Sequence, residues 1–487
     1  MLRKADFGSA HAGAELCSAP RGLGDPVSEP IVRKPYHPLR LLGRRVMSLL
    51  QHGLTPRLKP LSARRSATLS VLDVGTSKVV CLVAELQPVE TLATLRGRTH
   101  LARIIGIGHQ RSLGLKGGAV VDLEAAEGAI RHAVHAAERM AKCEVQSVIV
   151  NLSGGRLGSQ HFEARVPVRT GPVTGSDVQR VLEAASTHSV SPGRAVLHAL
   201  PIGYSLDQQS AVVDPSGMIG ETLGVDLHVV TSEIATARNL MLAVENCHLR
   251  VEAVIATPYA SGLSALVDDE AEMGVAVVDM GGGTTSVGVF MGGHLVHVDA
   301  VAVGGHHVTM DIARGLSTRV AAAERLKTLY GAAMATASDE RDMIAVHGVD
   351  EDERDIPHHI PKSQLVRIIR PRVEEVLELV RDRLRNAGFA AQAGRRVVLT
   401  GGASQLVGLP EVARRILQGQ VRIGRPLGIK GLPEAAKGPA FSAAVGLLVY
   451  PQVSHVEHFE PKGQASGMGL ASDSYLHRVG RWIRESF

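Results

Sequence analysis

The alternation of apolar and polar positions along the chain predicts a mixture of strands and helices from residue 67 onward. Apolar positions that alternate with polar ones are typical of strands, and apolar positions three and four residues apart are typical of helices that face a core. Helices are predicted at 122–141, with Asp122 as N-cap, and at 178–186, 234–247, 320–330 and 365–386. Predicted strands lie between them, which indicates an α/β fold.

Two of the predicted hairpins have a carboxylate at the end of their first strand. The first strand of one hairpin ends at Asp73, and that of the other ends near Asp279, 206 residues later. Glycine lets a backbone take positive φ and approach a partner closely, and successive N–H groups in a turn form an anion site to which hydroxyls add donors. The residues that supply these features are Gly75, Thr76, Ser77 and Lys78 in one turn and Gly281, Gly282, Gly283, Thr284 and Thr285 in the other.

A carboxylate next to an anion site is explained if a cation such as Mg²⁺ lies between the two, often through water. Asp73 and Asp279 are therefore the predicted metal-side residues of two turns that clamp a metal-bound triphosphate, and the pair of hairpins indicates a weak internal duplication. For the second turn alone, an ordinary glycine hairpin is the alternative interpretation. The site is not a Walker loop, because a strand follows each turn and no GxxxxGK[ST] pattern occurs.

A third glycine turn, LTGGAS at 399–404, is predicted between a strand and a helix. Glycines there would let a nucleoside lie against the backbone, and the start of the helix would offer N–H donors. Glu324 and Lys327 lie three residues apart on one face of a predicted helix, where a carboxylate could accept from ribose hydroxyls and a lysine could reach ribose or base. A surface ion pair is the alternative for these two residues.

Composition and charge limit the possible functions. The four cysteines lack CxxC spacing, which argues against a zinc site and favours a reducing compartment. No apolar run of about 18 residues is present, and the start has no apolar core typical of a signal peptide. Residues 1–66 contain 12 Lys and Arg against 4 Asp and Glu, a net charge of +8 in a chain of net +5. The basic charge therefore belongs to an arm at 1–64, expected to be mostly disordered, and nucleic acid is not expected as a partner.

The final segment, 474–487, has the pattern of an amphipathic helix that follows a linker at 453–473. Its apolar residues fall within an arc of about 140° when the helix advances by roughly 100° per residue. The apolar face includes Leu476, Val479, Trp482 and Ile483, and the opposite face includes Arg478, Arg481 and Arg484. Such a helix favours an anionic leaflet, and docking on the protein's own body is the alternative. A second basic segment, 39–50, could also lie on a surface, although a disordered arm is the preferred interpretation.

Taken together, DVGTSK at 73–78, DMGGGTTS at 279–286 and LTGGASQL at 399–406 resemble the actin/Hsp70/sugar-kinase superfamily. Within it the chain is similar to the FtsA family of actin-like cell-division proteins over about residues 68–450 and again at the C-terminus, on stretches that include GGAVVDLEAA, AAERLK, VRIGRPLGI and FSAAVGLLVY. The arm at 1–64 is not covered.

The resemblance implies an actin-like two-domain ATPase fold with an inserted small subdomain and the C-terminal amphipathic helix. Its expected boundaries are 65–152 with 232–266 for the first half, 153–231 for the inserted subdomain, 267–318 with 395–452 for the second half, and 319–394 for the small subdomain on the nucleotide side.

The resemblance also implies roles for the motif residues. ATP would lie in the cleft, with the two hairpin turns on its phosphates and Asp73 and Asp279 orienting Mg²⁺ and its waters. The nucleoside would be held by Gly401, Gly402 and Ala403, with Glu324 and Lys327 on ribose and base.

The implied function is an ATP-binding division protein that polymerises, tethers the FtsZ ring to the cytoplasmic face of the cell membrane at the division site and recruits later division proteins. The FtsZ C-terminal tail would bind around the helix at 365–386, at Arg372 and Glu375, although Arg370 stands where the family leads us to expect an acidic residue. ATP hydrolysis is expected to be weak or absent. The alternative is a small-molecule kinase or active ATPase, for which the sequence offers no further base beside the phosphates.

Overall fold

The computed structural model describes residues 58, 61–62 and 64–457, apart from 90–96, 170, 187–189, 351–355 and 391–394. Most of the basic arm, including its segment at 39–50, and the predicted helix at 474–487 lie outside the described residues.

The first part of the chain forms most of one sheet and its covering helix. The elements are β1 (Ala67–Val74), β2 (Lys78–Pro88), β3 (His100–Arg111), β4 (Leu115–Lys116), β5 (Ala119–Val120), α1 (Leu123–Ala141) and β6 (Ser147–Leu152). The predicted N-cap is confirmed, because the Asp122 carboxylate accepts a hydrogen bond of 3.1 Å from the Ala125 amide. Lys142 ends the helix in a left-handed conformation.

The chain then forms a separate antiparallel sheet. Its elements are β7 (Gly158–Pro167), α2 (Gly175–Ser186), β8 (Arg194–Leu206), β9 (Gln209–Val212) and β10 (Thr222–Glu233), with the strand order β7-β10-β8-β9. Helix α2 covers one face, and a core of its own forms around Val181, Leu223, Val225 and Leu227. This is the helix and strand content predicted for the inserted subdomain.

Next come α3 (Ile234–Glu245), β11 (Arg250–Ala256), α4 (Thr257–Ala265) and α5 (Asp268–Met273). The second part begins with β12 (Val275–Met280), β13 (Thr285–Met291), β14 (His294–Val301), α6 (Gly305–Gly315) and α7 (Val320–Tyr330). It continues with β15 (Met343–Val346), β16 (His358–Pro361), α8 (Lys362–Asn386), β17 (Arg396–Thr400), α9 (Leu409–Leu417), β18 (Gln420–Ile423), β19 (Ile429–Lys430) and α10 (Ser442–Val453).

The two large sheets have related centres. Their orders are β11-β6-β1-β2-β3-β19 and β14-β13-β12-β17-β18. In each, an antiparallel hairpin, β1–β2 or β12–β13, has its first strand paired in parallel with a strand from later in the chain, β6 or β17. Their apolar residues are almost completely buried, because helices cover the sheets. The two hairpins of the weak sequence duplication therefore occupy equivalent positions in the two sheets.

Helix α10 returns from the end of the second part to the core of the first, where Ala444, Leu447 and Tyr450 are buried. It crosses α4 so closely that a Cβ on Gly446 would lie 1.7 Å from the Ala260 carbonyl oxygen. The small residues of α10 therefore permit the contact that connects the two parts. No helix among the described residues is long and apolar enough to cross a membrane.

Candidate functional site: two facing hairpin turns

The two carboxylate hairpins fold as tight turns that lie against one another. Each is closed by a backbone hydrogen bond, from the Gly75 amide to the Lys78 carbonyl at 3.0 Å and from the Gly281 amide to the Thr284 carbonyl at 2.9 Å. A Cβ on Gly282 would lie 3.0 Å from the Ser77 Cβ, and one on Gly283 would lie 2.5 Å from the Thr76 Oγ1. The residues predicted from two distant stretches of sequence are thus brought together.

The glycines of the second turn do not adopt the positive φ that the sequence suggested. None of Gly281, Gly282 and Gly283 has a backbone φ in the left-handed region, so the expectation of positive φ is wrong for all three. At Gly282 and Gly283 the opposing turn approaches too closely for a side chain, whereas a Cβ on Gly281 would lie 3.0 Å from the Thr284 carbonyl oxygen of its own turn. The Thr285 hydroxyl, predicted as a donor to the anion, donates instead to the Val303 carbonyl at 2.8 Å, and the residue is fully buried.

Both carboxylates are buried at the ends of their strands, and each accepts a hydrogen bond. Asn151 Nδ2 donates to Asp73 at 2.6 Å, and the Ser261 hydroxyl donates to Asp279. Burial raises the pKa of Asp73, against the opposing effects of the Lys78 ammonium and the Asn151 hydrogen bond. The pKa of Asp279 is raised to about 6, chiefly by burial; the Ser261 hydrogen bond and the Lys78 charge act against this rise, and the charge of Asp73 adds to it. The pair therefore carries negative charge that the protein only partly compensates.

The amine of Lys78 lies at the edge of this site. It donates to the Ala440 carbonyl and lies 3.7 Å from the centre of the Phe441 ring. Burial lowers the pKa of Lys78, whereas Asp73 and Asp279 act in the opposite direction. Lys78 is thus electrostatically coupled to both carboxylates, and its position agrees with a role beside an anion.

The third glycine turn meets the second carboxylate. Gly401 has φ +83°, and a Cβ there would lie 2.5 Å from the Asp279 Oδ1 and 2.6 Å from the Met280 carbonyl oxygen. Only a glycine is compatible with both the φ and the contact. The expected helix does not follow at once: Gly402–Gln405, which includes Ala403, forms a single 3₁₀ turn, and α9 begins at Leu409 after Gly408 with φ +76°.

Glu324 and Lys327 form the ion pair that was considered as the alternative, with 2.7 Å between Nζ and Oε2. The lysine also donates to the Thr309 hydroxyl at 2.8 Å and to the Gly305 carbonyl at 3.1 Å. A Cβ on Gly305 would lie 3.0 Å from that of Ala403. The pair therefore lies beside the third glycine turn, and the ion-pair and nucleoside-side interpretations are compatible.

Several residues of the site were missed from the sequence. Asn151 connects Asp73 to the Val74 amide at 2.8 Å, and Ser261 contacts Asp279. The amides of Gly305 and His306 donate to the carbonyls of the second turn at 2.9 and 2.7 Å. A polar Asn within the apolar run VIVNL was the available indication for Asn151. Nothing local distinguished Ser261 from its neighbours in a helix of small residues.

The proposed partner-binding residues lie on α8, away from these turns in the chain. Arg372 forms a two-pronged ion pair with Asp311 on α6, at 2.6 and 3.2 Å, and a second pair with Glu375. Arg370 pairs with Glu374 at 2.9 Å. Arg372 thus has a structural contact that holds α8 against α6.

Comparison with known proteins finds relatives along most of the chain. The profile of the family described as cell division protein FtsA matches residues 276–446, and that of the SHS2 domain inserted in FtsA matches residues 154–231. The cell division protein FtsA of Agrobacterium fabrum (strain C58) is 55% identical over 437 residues, which are 90% of this chain and 98% of that protein. FtsA of Escherichia coli (strain K12) is 35% identical over 425 residues, covering 85% of this chain and 97% of that protein.

Among solved structures, the PilM–PilN type IV pilus biogenesis complex matches with a TM-score of 0.53 at 18% identity, over 80% of this chain and 99% of that chain. That likeness concerns the fold. The predicted actin-like α/β fold with an inserted domain is confirmed. With two family profiles matched and a relative that is 55% identical over 90% of this chain, the chain belongs to the FtsA family of cell division proteins.

Proposed function

We propose that the protein binds Mg-ATP between its two halves, polymerises, and tethers the FtsZ polymer to the cytoplasmic face of the cell membrane at the division site, where it recruits later division proteins. The cell-division role follows from the family. The observation that carries the ATP proposal is the close approach of the two turns, which is so tight that a Cβ on Gly283 would lie 2.5 Å from the Thr76 hydroxyl oxygen.

The phosphate side of the site is formed by backbone and small side chains. Turns stripped of side chains let N–H dipoles approach phosphate oxygens, and the nearby Lys78 supplies positive charge. In the third glycine turn, Gly401 lies next to Asp279, and Ala403 lies beside Gly305, whose carbonyl accepts from the Lys327 of the Glu324–Lys327 pair. A nucleotide with its phosphates between the turns would therefore place its nucleoside near the pair.

The donor set fits Mg²⁺. The carboxylates of Asp73 and Asp279 offer the hard oxygen donors that Mg²⁺ prefers. Both are buried, and burial raises the pKa of each because it disfavours the charged form. Bound Mg²⁺ would supply charge neutralisation between the carboxylates and the phosphates. Asn151 and Ser261 hold the two carboxylates in place by hydrogen bonds. We propose that ATP acts mainly as a ligand for conformation and assembly.

The proposed surface for the FtsZ C-terminal tail is the exposed side of α8. Arg367 and Arg370 on α8 and Arg415 on the neighbouring α9 are 74%, 48% and 57% exposed. Arg367 pairs with Glu340, and Arg370 and Arg415 both pair with Glu374, so an acidic peptide would compete with these glutamates for the arginines. Arg372 is 26% exposed and already bound to Asp311 and Glu375, so a tail carboxylate would have to share or replace one of these partners. The membrane contact is proposed for residues 474–487.

The ATP site is tested by the substitution Gly282→Val. The added side chain would enter the space against Ser77, where even a Cβ would lie only 3.0 Å away, and we expect Mg-ATP binding to be lost in isothermal titration calorimetry. Gly203→Val is the matched control, because Gly203 lies in β8 with nothing within 4 Å of its Cβ position. Normal ATP affinity in a folded Gly282→Val protein would contradict the placement.

The tethering role is tested by co-sedimentation of the full chain with anionic liposomes and FtsZ, with and without Mg-ATP. We expect FtsZ to sediment with liposomes only when this protein is present. FtsZ that stays in the supernatant in both conditions would contradict the tethering proposal.

A further inference from the structure

The short hairpin β4–β5 places its glycine turn directly against both phosphate-side turns. The Gly118 amide donates to the Thr76 Oγ1 at 3.0 Å. A Cβ on Gly283 would lie 3.0 Å from the Gly117 amide nitrogen. The Ser112 amide, just before this hairpin, donates to the Ser77 carbonyl at 3.1 Å. The tip of the hairpin therefore contacts one turn from each half of the protein.

The other side of the same tip contacts the segment that leads into the inserted domain. A Cβ on Gly118 would lie 2.7 Å from the Gly154 amide nitrogen and 2.8 Å from the Ser153 Oγ. From the opposite direction, a Cβ on Gly154 would lie 2.5 Å from the Gly118 carbonyl oxygen. Backbone thus packs on backbone here, so a displacement of one segment cannot be absorbed by a change of side-chain rotamer.

A second connection reaches the same segment from the metal side of the site. Asn151 lies on β6, three residues before Gly154, and donates to the Asp73 carboxylate at 2.6 Å while accepting from the Val74 amide at 2.8 Å. The first phosphate-side turn therefore contacts the segment before the inserted domain through the hairpin tip and through β6.

The two chain crossings into and out of the inserted domain are also tied together. The Glu233 amide donates to the Gly155 carbonyl at 2.8 Å, and a Cβ on Gly155 would lie 3.1 Å from the Thr236 Cβ. We call residues 153–157 and 231–236 the neck. A shift at Gly154 would therefore reach both segments of the neck.

We propose that the Gly117–Gly118 turn transmits nucleotide occupancy from the two facing hairpin turns to the neck of the inserted domain. This inference rests on the proposed binding of ATP between the two hairpin turns. A nucleotide that moves the Thr76 or Gly283 backbone would move the hairpin tip with it, and the tip would displace Ser153 and Gly154. The two occupancy states would then favour different positions of the inserted domain.

The chain offers a matched pair of variants for the test. Gly117 and Gly118 both have left-handed backbones, with φ +57° and +75°, so alanine introduces similar backbone strain at each. A Cβ on Gly117 meets nothing within 4 Å, whereas one on Gly118 collides with Gly154. Gly154→Ala introduces the same collision from the other side.

The measurements are Mg-ATP affinity by calorimetry and amide hydrogen exchange of the neck with and without Mg-ATP. In the wild type and in Gly117→Ala we expect Mg-ATP to change neck exchange at least threefold. In Gly118→Ala and Gly154→Ala we expect that change to disappear while ATP still binds within about tenfold of the wild-type affinity. If Gly118→Ala does not fold, Gly154→Ala and the wild-type exchange data still decide the matter.

A wild-type protein that binds Mg-ATP without any change at the neck would overturn the relay and leave the proposed nucleotide site in place. Equal changes in neck exchange in Gly117→Ala, Gly118→Ala and Gly154→Ala would also overturn the relay and leave the nucleotide site in place. A wild type that binds no Mg-ATP would overturn both proposals.

Discussion

Asp279 offers a sharp test of the electrostatics of the candidate site, through the substitution Asp279→Asn. Its carboxyl has a pKa of about 6 in the folded protein, against an ordinary value of 3.8, chiefly because it is buried. The folded state therefore binds the proton more tightly than the unfolded chain does. Stability contributed by the neutral form is intact below about pH 4 and is lost as the pH rises through about 6. The amide is uncharged at all these pH values.

The magnitude follows from the size of the shift. About two pKa units correspond to about 3 kcal/mol of free energy of unfolding above pH 7, and about half of that at pH 5. In nucleotide-free and metal-free buffer we therefore expect Asp279→Asn to be more stable than the wild type by about 2–3 kcal/mol at pH 8, and by about 1.5 kcal/mol at pH 5. The Ser261 hydroxyl can still donate to the amide oxygen, so its hydrogen bond is retained.

The assay is urea unfolding of both proteins at pH 5 and pH 8, with Asp350→Asn as the control at an exposed carboxylate. That control is expected to stay within about 0.5 kcal/mol of the wild type. Addition of Mg-ATP should reverse the order, because ligand binding stabilises only the protein that binds it. A gap that is absent at pH 8, or that is unchanged between pH 5 and pH 8, would refute the account of an uncompensated buried charge.

The remaining predictions concern the partner and membrane surfaces. Arg372→Glu is expected to weaken binding of the FtsZ tail, measured by fluorescence anisotropy, while ATP binding survives. The substitution also places a third carboxylate beside Asp311 and Glu375, so we expect the free energy of unfolding to fall by about 1–3 kcal/mol. Arg372→Gln avoids that like-charge cluster and is the cleaner variant; unchanged tail affinity in it would move the site elsewhere. Trp482→Glu should release the protein from anionic liposomes, since it forfeits up to about 3 kcal/mol of apolar burial, whereas Arg481→Lys should have little effect; full liposome binding after deletion of 474–487 would disprove the tail assignment.

The sequence alone determined the elements and the chemistry that each turn could offer. Strand alternation, helical periodicity and capping are local properties of the chain, so elements that depend on them were predictable. These are the two hairpins whose first strands end at Asp73 and near Asp279, the capped helix after Asp122 and the long helix through Arg372. The order of three glycine turns was enough to indicate a superfamily, because that order needs no knowledge of contacts.

Only the tertiary structure decided which groups meet. Asp73 and its partner Asn151 are 78 residues apart in the chain, and Gly283 faces Thr76 across the two halves. Such contacts depend on how sheets and helices pack, which no local pattern specifies. The same reason explains why Gly282 and Gly283 accommodate a close approach of the opposing turn in place of a left-handed backbone, and why the contact of Arg372 with Asp311 could not be predicted. A side chain's type can be known from its sequence position, but its partner is set by the folded chain around it.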